Sequence, residues 1–376
     1  MKTWLKRAIK KLYSRKEDMK PLITIYISKK AIINNLNYFR KLAPKCEVAP
    51  VLKSNAYGHG LYMIANILKE ERLPFLIIDS YFEARTLRNE GIENPLLIIG
   101  YATTEMIIKN HLSNIIFTIS NLESLKNISK KTIIHLKIDT GMHRQGISIE
   151  EIDSAISIIK NNRNIELQGI CSHLADADNT NNQSFTKKQI SIWNNTVKIF
   201  RNHFPNLKYW HISNTSGHNY AKDIDANLTR LGIGLYLTPT PALMMETIIS
   251  GIRKIKKGEY VGYGCTFEAK KDMGIATIPL GYFEGIDRRL SNKGFVKIEK
   301  NNKTYFAPII GRVSMNITTI DISNIPQMKI DDKVIVISNI AQDKNSIENR
   351  ASNCDTIPYE IVVHIPPHLK RVLVDN

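Results

Sequence analysis

Between Pro21 and about Met245, short apolar runs alternate with stretches of helical period, and this alternation limits the possible folds more than any other feature. The apolar runs are Ile23–Ile27, Glu47–Lys53, Phe75–Asp79, Leu96–Ile99, Ile115–Ile119, Ile133–Asp139, Glu166–Ser172, Tyr209–Ser213 and Leu231–Tyr236. Most are separated by segments such as KKAIINNLNYFRKL, YFEARTLRNEG, NLESLKNISK and EEIDSAISIIKNN, whose apolar residues recur at helical spacing. Setting the isolated first run aside leaves eight strands with crossover helices, which predicts an α/β fold built on a (β/α)8 TIM barrel over residues 21–245. Past Met245 the texture changes to β-branched runs broken by Gly, Asn and Asp, as in GFVKIEKNNKTYFAPIIG and KVIVIS. These predict a C-terminal, mostly antiparallel β domain over residues 246–376, with the boundary between about residues 238 and 250 at the TPTPAL turn cluster.

A chain of 376 residues with 43% hydrophobic content suits two such cores. Its formal charge of +17 raises the question of an acidic partner, but Lys is spread along the chain with Ile and Asn, and no nucleic-acid motif is present. Nucleic acid is therefore not expected as a partner. The four cysteines are scattered without a CxxC pair, which points to reduced thiols in a cytoplasmic protein and to no metal site. No apolar run reaches membrane-spanning length. Residues 1–20 carry eight Lys/Arg against two Asp/Glu, a net of +6, with Leu5, Ile9 and Leu12 on one helical stripe and Lys2, Lys6 and Lys10 on another. They lack the uninterrupted apolar core of a secretory signal. The segment reads as a basic amphipathic extension, for which a solvated or self-packed terminus is the favoured fate over contact with a membrane surface.

Within the barrel the stretch EVAPVLKSNAYGHG places Lys53 at the end of the first of the eight strands. The C-terminal ends of barrel strands form the active-site face. A strand-end lysine is ordinarily a solvated surface group, whereas a partly buried amine is a nucleophile suited to Schiff-base chemistry.

The stretch VLKSNAYGHG resembles the pyridoxal-phosphate signature of alanine racemases. Eight further stretches resemble that family in the same order: LKIDTGMHRQG, SHLADAD, HISNTSG, TRLGIGLY, GYGCTF, LGYFEGIDRRLSNKG, IIGRVSMN and TIPYE. Together they span approximately residues 22 to 362. The resemblance implies interconversion of L- and D-alanine on pyridoxal 5′-phosphate, with D-alanine passing to peptidoglycan precursors. It implies that Lys53 holds the cofactor and serves as the D-side base, and that Tyr263 is the L-side base. Tyr57, Thr215, the backbone of Gly232 and Ile233, and Tyr359 would bind the phosphate. Arg230 would face the pyridine nitrogen, where a permanently charged donor makes the ring a weaker electron sink than a carboxylate would. His173 and His211 would join Arg230 in a network that gives Tyr263, otherwise a poor base near neutrality, a cationic neighbourhood.

By the same resemblance Arg144 would contact the cofactor's phenolic oxygen, the Met315 amide would meet the substrate carboxylate, and Tyr282 would narrow the mouth. Lys137 stands where the family often carries a carbamylated lysine that steadies Arg144. Because Tyr263 belongs to the second domain, a head-to-tail homodimer with shared sites is implied. Two places depart from the family pattern. Asn316 replaces the usual aspartate after Met315, and the tail HIPPHLKRVLVDN lacks the usual basic, aromatic ending, which suggests a weaker C-terminal dock. A racemase for serine, lysine or a broader range is the alternative enzyme, and a pyridoxal-phosphate carrier without turnover is the non-enzymatic one.

Overall fold

The computed structural model describes residues 20–375. The basic amphipathic stretch lies, except for Lys20, outside the described residues. The barrel strands are β2 (Glu47–Pro50), β3 (Leu76–Ile78), β4 (Leu96–Ile98), β5 (Ile115–Ile119), β6 (Thr132–Lys137), β7 (Ile165–Cys171), β8 (Tyr209–His211) and β9 (Leu228–Leu231), with β1 (Thr24–Ser28) preceding them. Strands β3 to β8 form one parallel sheet in chain order, and β2 pairs in parallel with β9. The ring closes through a parallel bridge between Val51 and Ile77 on one side, and through Asn227 N–H to Trp210 O and Arg230 N–H to Ser213 O on the other. Strands covered on both faces have no solvent side, so they read as continuous apolar runs: every residue of β3, β4 and β5 is buried.

The crossover helices follow local rules. In Lys29–Leu42, Ser28 accepts the Ala31 amide as N-cap, and Ala31, Ile32, Leu36 and Phe39 make the stripe that seats it on the barrel. Helix Tyr81–Asn89 is capped likewise by Ser80, and Ser184–His203 buries Trp193, Val197 and Phe200.

Two apolar runs are placed differently from expectation. The first becomes β1 of the second domain, antiparallel to β10 (Leu243–Ile248) and parallel to Lys370–Val374. The run predicted as Leu231–Tyr236 splits: β9 ends at Leu231, and Gly234–Leu237 is a helical turn. At the start of that turn Gly234 packs against Phe39, where a Cβ would lie 2.6 Å from the ring, so the position requires a glycine.

The C-terminal sheet runs in the order Lys303–Pro308, Phe295–Lys300, Lys333–Ile337, β10, β1, Lys370–Val374. All of its pairs are antiparallel except the last. A three-stranded antiparallel sheet of Gly251–Ile255, Met273–Ile278 and Thr318–Asp321 stands beside it. The tail is well docked, contrary to the expectation from its sequence. Its strand pairs with β1 over five residues, and Arg371 donates to the carbonyls of Gly58, Ile365, Pro366, Pro367 and Leu369. Among the described residues no helix is long and apolar enough to cross a membrane.

Candidate active site

A cavity of about 340 Å³ opens at the C-terminal ends of the barrel strands, and Lys53 lines it three residues beyond the end of β2. The next four residues, Ser54, Asn55, Ala56 and Tyr57, all have positive φ between 51° and 56°. Such residues cost about 1–2 kcal/mol each, so the turn persists only because its surroundings fix it. It carries the Tyr57 ring into the cavity wall beside Tyr359, with ring centroids 5.9 Å apart.

Arg230, on β9 and only 6% exposed, is the electrostatic centre. One guanidinium nitrogen donates to His211 Nδ1 at 2.8 Å and to its carbonyl at 3.0 Å. The other donates to His173 Nδ1 at 2.9 Å and to the carbonyls of Ser172 and Ile212. Arginine has no acceptor, so both imidazole nitrogens facing it accept. His211 therefore carries its proton on Nε2 and passes it toward His135 Nδ1 at 2.9 Å; His135 in turn donates from Nε2 to Gln168 Oε1 at 3.4 Å. Every tautomer in the chain follows from the single fact that Arg230 only donates. Burial, and then the Arg230 charge, press His173 down to about 2 and hold His211 well below the usual histidine range, while burial alone is the main cause that takes His135 down to about 3. With both facing imidazole nitrogens accepting, the positive charge of this network resides on Arg230.

Another part of the cavity is bounded by hydroxyls and backbone. A Cβ at Gly232 would come 2.8 Å from the Tyr57 hydroxyl and 3.9 Å from Thr215 Oγ1, so the glycine leaves open a cradle between two hydroxyls. Thr215 Oγ1 accepts the Gly234 amide, and the adjoining Ile233 is half-buried. The Thr118 hydroxyl also lines the cavity, buried and without a hydrogen-bond partner among the described residues. Lys53, Lys137, Arg144 and Arg230 all face the cavity, whose lining among the described residues contains no carboxylate. Burial lowers the Lys137 pKa, and the neighbouring Arg230, Arg144 and Lys53 add to that lowering. Such a wall suits anionic groups, and the phosphate and phenolic oxygen of pyridoxal phosphate with a substrate carboxylate would supply them. Pyridoxal phosphate fits these residues.

Tyr263, Tyr282 and Met315 do not line this cavity. They sit on exposed loops of the β domain, Tyr263 at 71% and Met315 at 55% exposure. Backbone bonds from Tyr282 N–H to Ser314 O and from Phe283 N–H to Met315 O tie two of these loops together. Asn316 donates to Glu284 at 2.6 Å in the same region.

The sequence matches the family "Alanine racemase, N-terminal domain" over residues 27–239 and "Alanine racemase, C-terminal domain" over residues 242–373. The chain belongs to the alanine racemase family. It is 33% identical to the alanine racemase of Methanococcus maripaludis over 365 residues, covering 91% of this chain and 96% of that one. It is likewise 33% identical to the alanine racemase of Borreliella burgdorferi over 375 residues, covering 94% and 97%. Among solved structures it resembles the Bacillus anthracis alanine racemase with bound L-Ala-P, with a TM-score of 0.85 at 26% identity over 95% of this chain and 96% of that one.

Membership of the alanine racemase family gives the cavity a context that sequence reasoning had filled only in part. His135 and Gln168 read as interior residues of strands β6 and β7, and nothing local marks them as the far end of the Arg230 chain. Glu83 reads as the glutamate of a Ser-x-x-Glu helix cap, a signal visible in the sequence, yet its carboxylate also accepts the Ser54 amide. Arg371 lies in the tail where a weaker dock was expected.

Proposed function

We propose that the protein is an amino-acid racemase that interconverts L- and D-alanine with pyridoxal 5′-phosphate, and that its D-alanine supplies peptidoglycan precursors. The observation that carries this reading is a lysine amine sharing one cavity with a buried arginine that has only imidazoles and carbonyls for partners. When bound, pyridoxal phosphate supplies an electron-withdrawing ring that acidifies the Cα–H of the attached amino acid. Lys53 would hold it covalently and, once released, move a proton on one face of Cα. Tyr57, Thr215 and the Gly232–Ile233 backbone would hold its phosphate with hydroxyls and amides, and Tyr359 would close the wall beside them. Arg230 would donate to the ring nitrogen without giving up a proton, because its neighbours are neutral and its own charge is permanent. Arg144, with Lys137 beside it, would balance the phenolic oxygen.

Racemisation needs a second proton-moving group on the opposite face, since one base returning its proton to the same side regenerates the starting enantiomer. We assign Tyr263 of a second subunit to that face, with the Met315 amide on the substrate carboxylate and Tyr282 at the mouth. His173, neutral and with its Nε2–H unspent on Arg230, is a donor available to a phenolate oxygen. The test is a chirality-resolved turnover assay of the purified protein with added pyridoxal phosphate and each L-amino acid in turn. Alanine should be racemised fastest. A faster rate with serine or lysine would reassign the substrate, and no racemisation of any amino acid would overturn the reading.

A further inference from the structure

We propose that Glu83 and Arg371 are positioning residues that grip the two ends of the left-handed turn Ser54–Tyr57 and so aim Lys53 into the cavity. The inference rests on the reading of Lys53 as the cofactor lysine. Inside the turn the chain meets its own needs: Gly58, His59 and Gly60 N–H donate to Ser54, Ala56 and Asn55 carbonyls. Its two ends are met from elsewhere. Ser54 N–H, the amide directly after Lys53, donates to Glu83 Oε1 at 2.9 Å. Gly58 O, at the far end, accepts Arg371 Nε–H at 2.9 Å.

Neither contact is explained by the residue's local duty. In an ordinary capping box the glutamate returns to the amide of the capping residue. Here Ser80 Oγ accepts the Glu83 amide, but the carboxylate bypasses Ser80 and divides between Asp79 N–H at 2.7 Å and Ser54 N–H. One oxygen is therefore committed to the lysine turn. Among the described residues the Arg371 guanidinium meets no carboxylate; it gathers the backbone carbonyls of Ile365, Pro366, Pro367 and Leu369 together with Gly58 O. A Cβ at Gly58 would also run into Val362 O, so the turn presses directly on helix Pro358–Val363, which carries Tyr359. The C-terminal tail thus holds the lysine turn and the Tyr359 wall in one register. An amine that must first bond a carbon in the cavity and later meet a proton at Cα depends on that aim.

The experiment uses full-length Glu83→Ala, Glu83→Gln, Arg371→Ala and Arg371→Lys, with Lys53→Ala as control. Three quantities are read: amide hydrogen exchange of residues 53–60 in cofactor-free protein, the rate at which added pyridoxal phosphate is fixed to Lys53 and trapped by borohydride, and kcat and KM for L-alanine. Glu83→Ala and Arg371→Ala should raise exchange in that segment about tenfold and lower both fixation and kcat by about 10- to 100-fold, with KM changed less than about threefold. Glu83→Gln, keeping one acceptor oxygen, should fall between wild type and Glu83→Ala. Arg371→Lys keeps the charge but not the planar fork and should not rescue. Wild-type exchange and fixation in both alanine variants would overturn the proposal, as would a loosening spread evenly over the barrel strands. Retention of lysine-linked pyridoxal phosphate by Lys53→Ala would instead overturn the assignment of Lys53, whatever the clamp variants do.

Discussion

Arg230 imposes its chemistry on three histidines by being unable to accept a hydrogen bond. His173 and His211 must accept from it, and His135 must accept from His211, so protonating any of them breaks a buried contact. The folded chain refuses protons that the unfolded chain takes up once the pH drops below about 6.5. Stability should therefore be fully present above that value and fall as pH falls through the window down to about 3 for His135. The sign follows because the unfolded state binds more protons there, and each such group contributes up to about 1.4 kcal/mol per pH unit. Urea denaturation of cofactor-free protein between pH 4.5 and pH 7 reads the slope, to be compared with His135→Leu. That variant is less stable at every pH but should show a shallower slope, and an unchanged slope would mean His135 is not held neutral.

At the scale of the element, the loop bearing Met315 shows why its aspartate is replaced. Glu284 is buried; one carboxylate oxygen accepts the Gly281 amide, and the other accepts Asn316 Nδ2 at 2.6 Å. An aspartate at 316 would set two carboxylates against each other, so Asn316 and Glu284 are complementary where two acids would not be. Asn316→Asp should lower stability by about 1.5–3 kcal/mol and raise KM for alanine, both read by thermal unfolding and steady-state rates. Adding Glu284→Gln should restore most of each loss; a double variant no better than the single would show that the pair is not coupled. Little of this pairing was legible in SMN, because it depends on a loop 32 residues away in sequence. Strands such as Ile115–Ile119 were legible, since burial on both faces leaves a continuous apolar run. So was the helix Lys29–Leu42, whose cap and stripe are local. The run at Leu231 misled because hydrophobicity does not say where Gly234 must meet Phe39. His135 and Glu83 carry no local mark of their roles for a related reason: their second partners are set by barrel register and by a turn no propensity favours.

At the scale of the whole molecule, the described chain presents half of its proposed machinery in a cavity and half on exposed loops. Lys53, Arg230 and Thr215 line the one, while Tyr263, Tyr282 and Met315 lie outside it on the β domain. In the proposed head-to-tail homodimer each exposed patch would cover the other subunit's cavity, and the assembly would close after two subunits. On this arrangement Lys53→Ala and Tyr263→Phe each remove a group from both sites of their own homodimer. When the two inactive proteins are mixed under conditions that exchange subunits, a mixed pair holds one doubly defective site and one site with both groups intact. Random exchange makes about half of the dimers mixed, so about one quarter of wild-type activity should return. Solvent-deuterium exchange into the substrate adds the facial assignment. Tyr263→Phe alone should keep exchange into D-alanine better than into L-alanine, because Lys53 remains on the D-side. Recovery of activity without that asymmetry would keep the shared site and discard the division of faces. If the mixture stays inactive while native mass spectrometry detects mixed dimers, each site is built within one chain, and Tyr263 is not its second base.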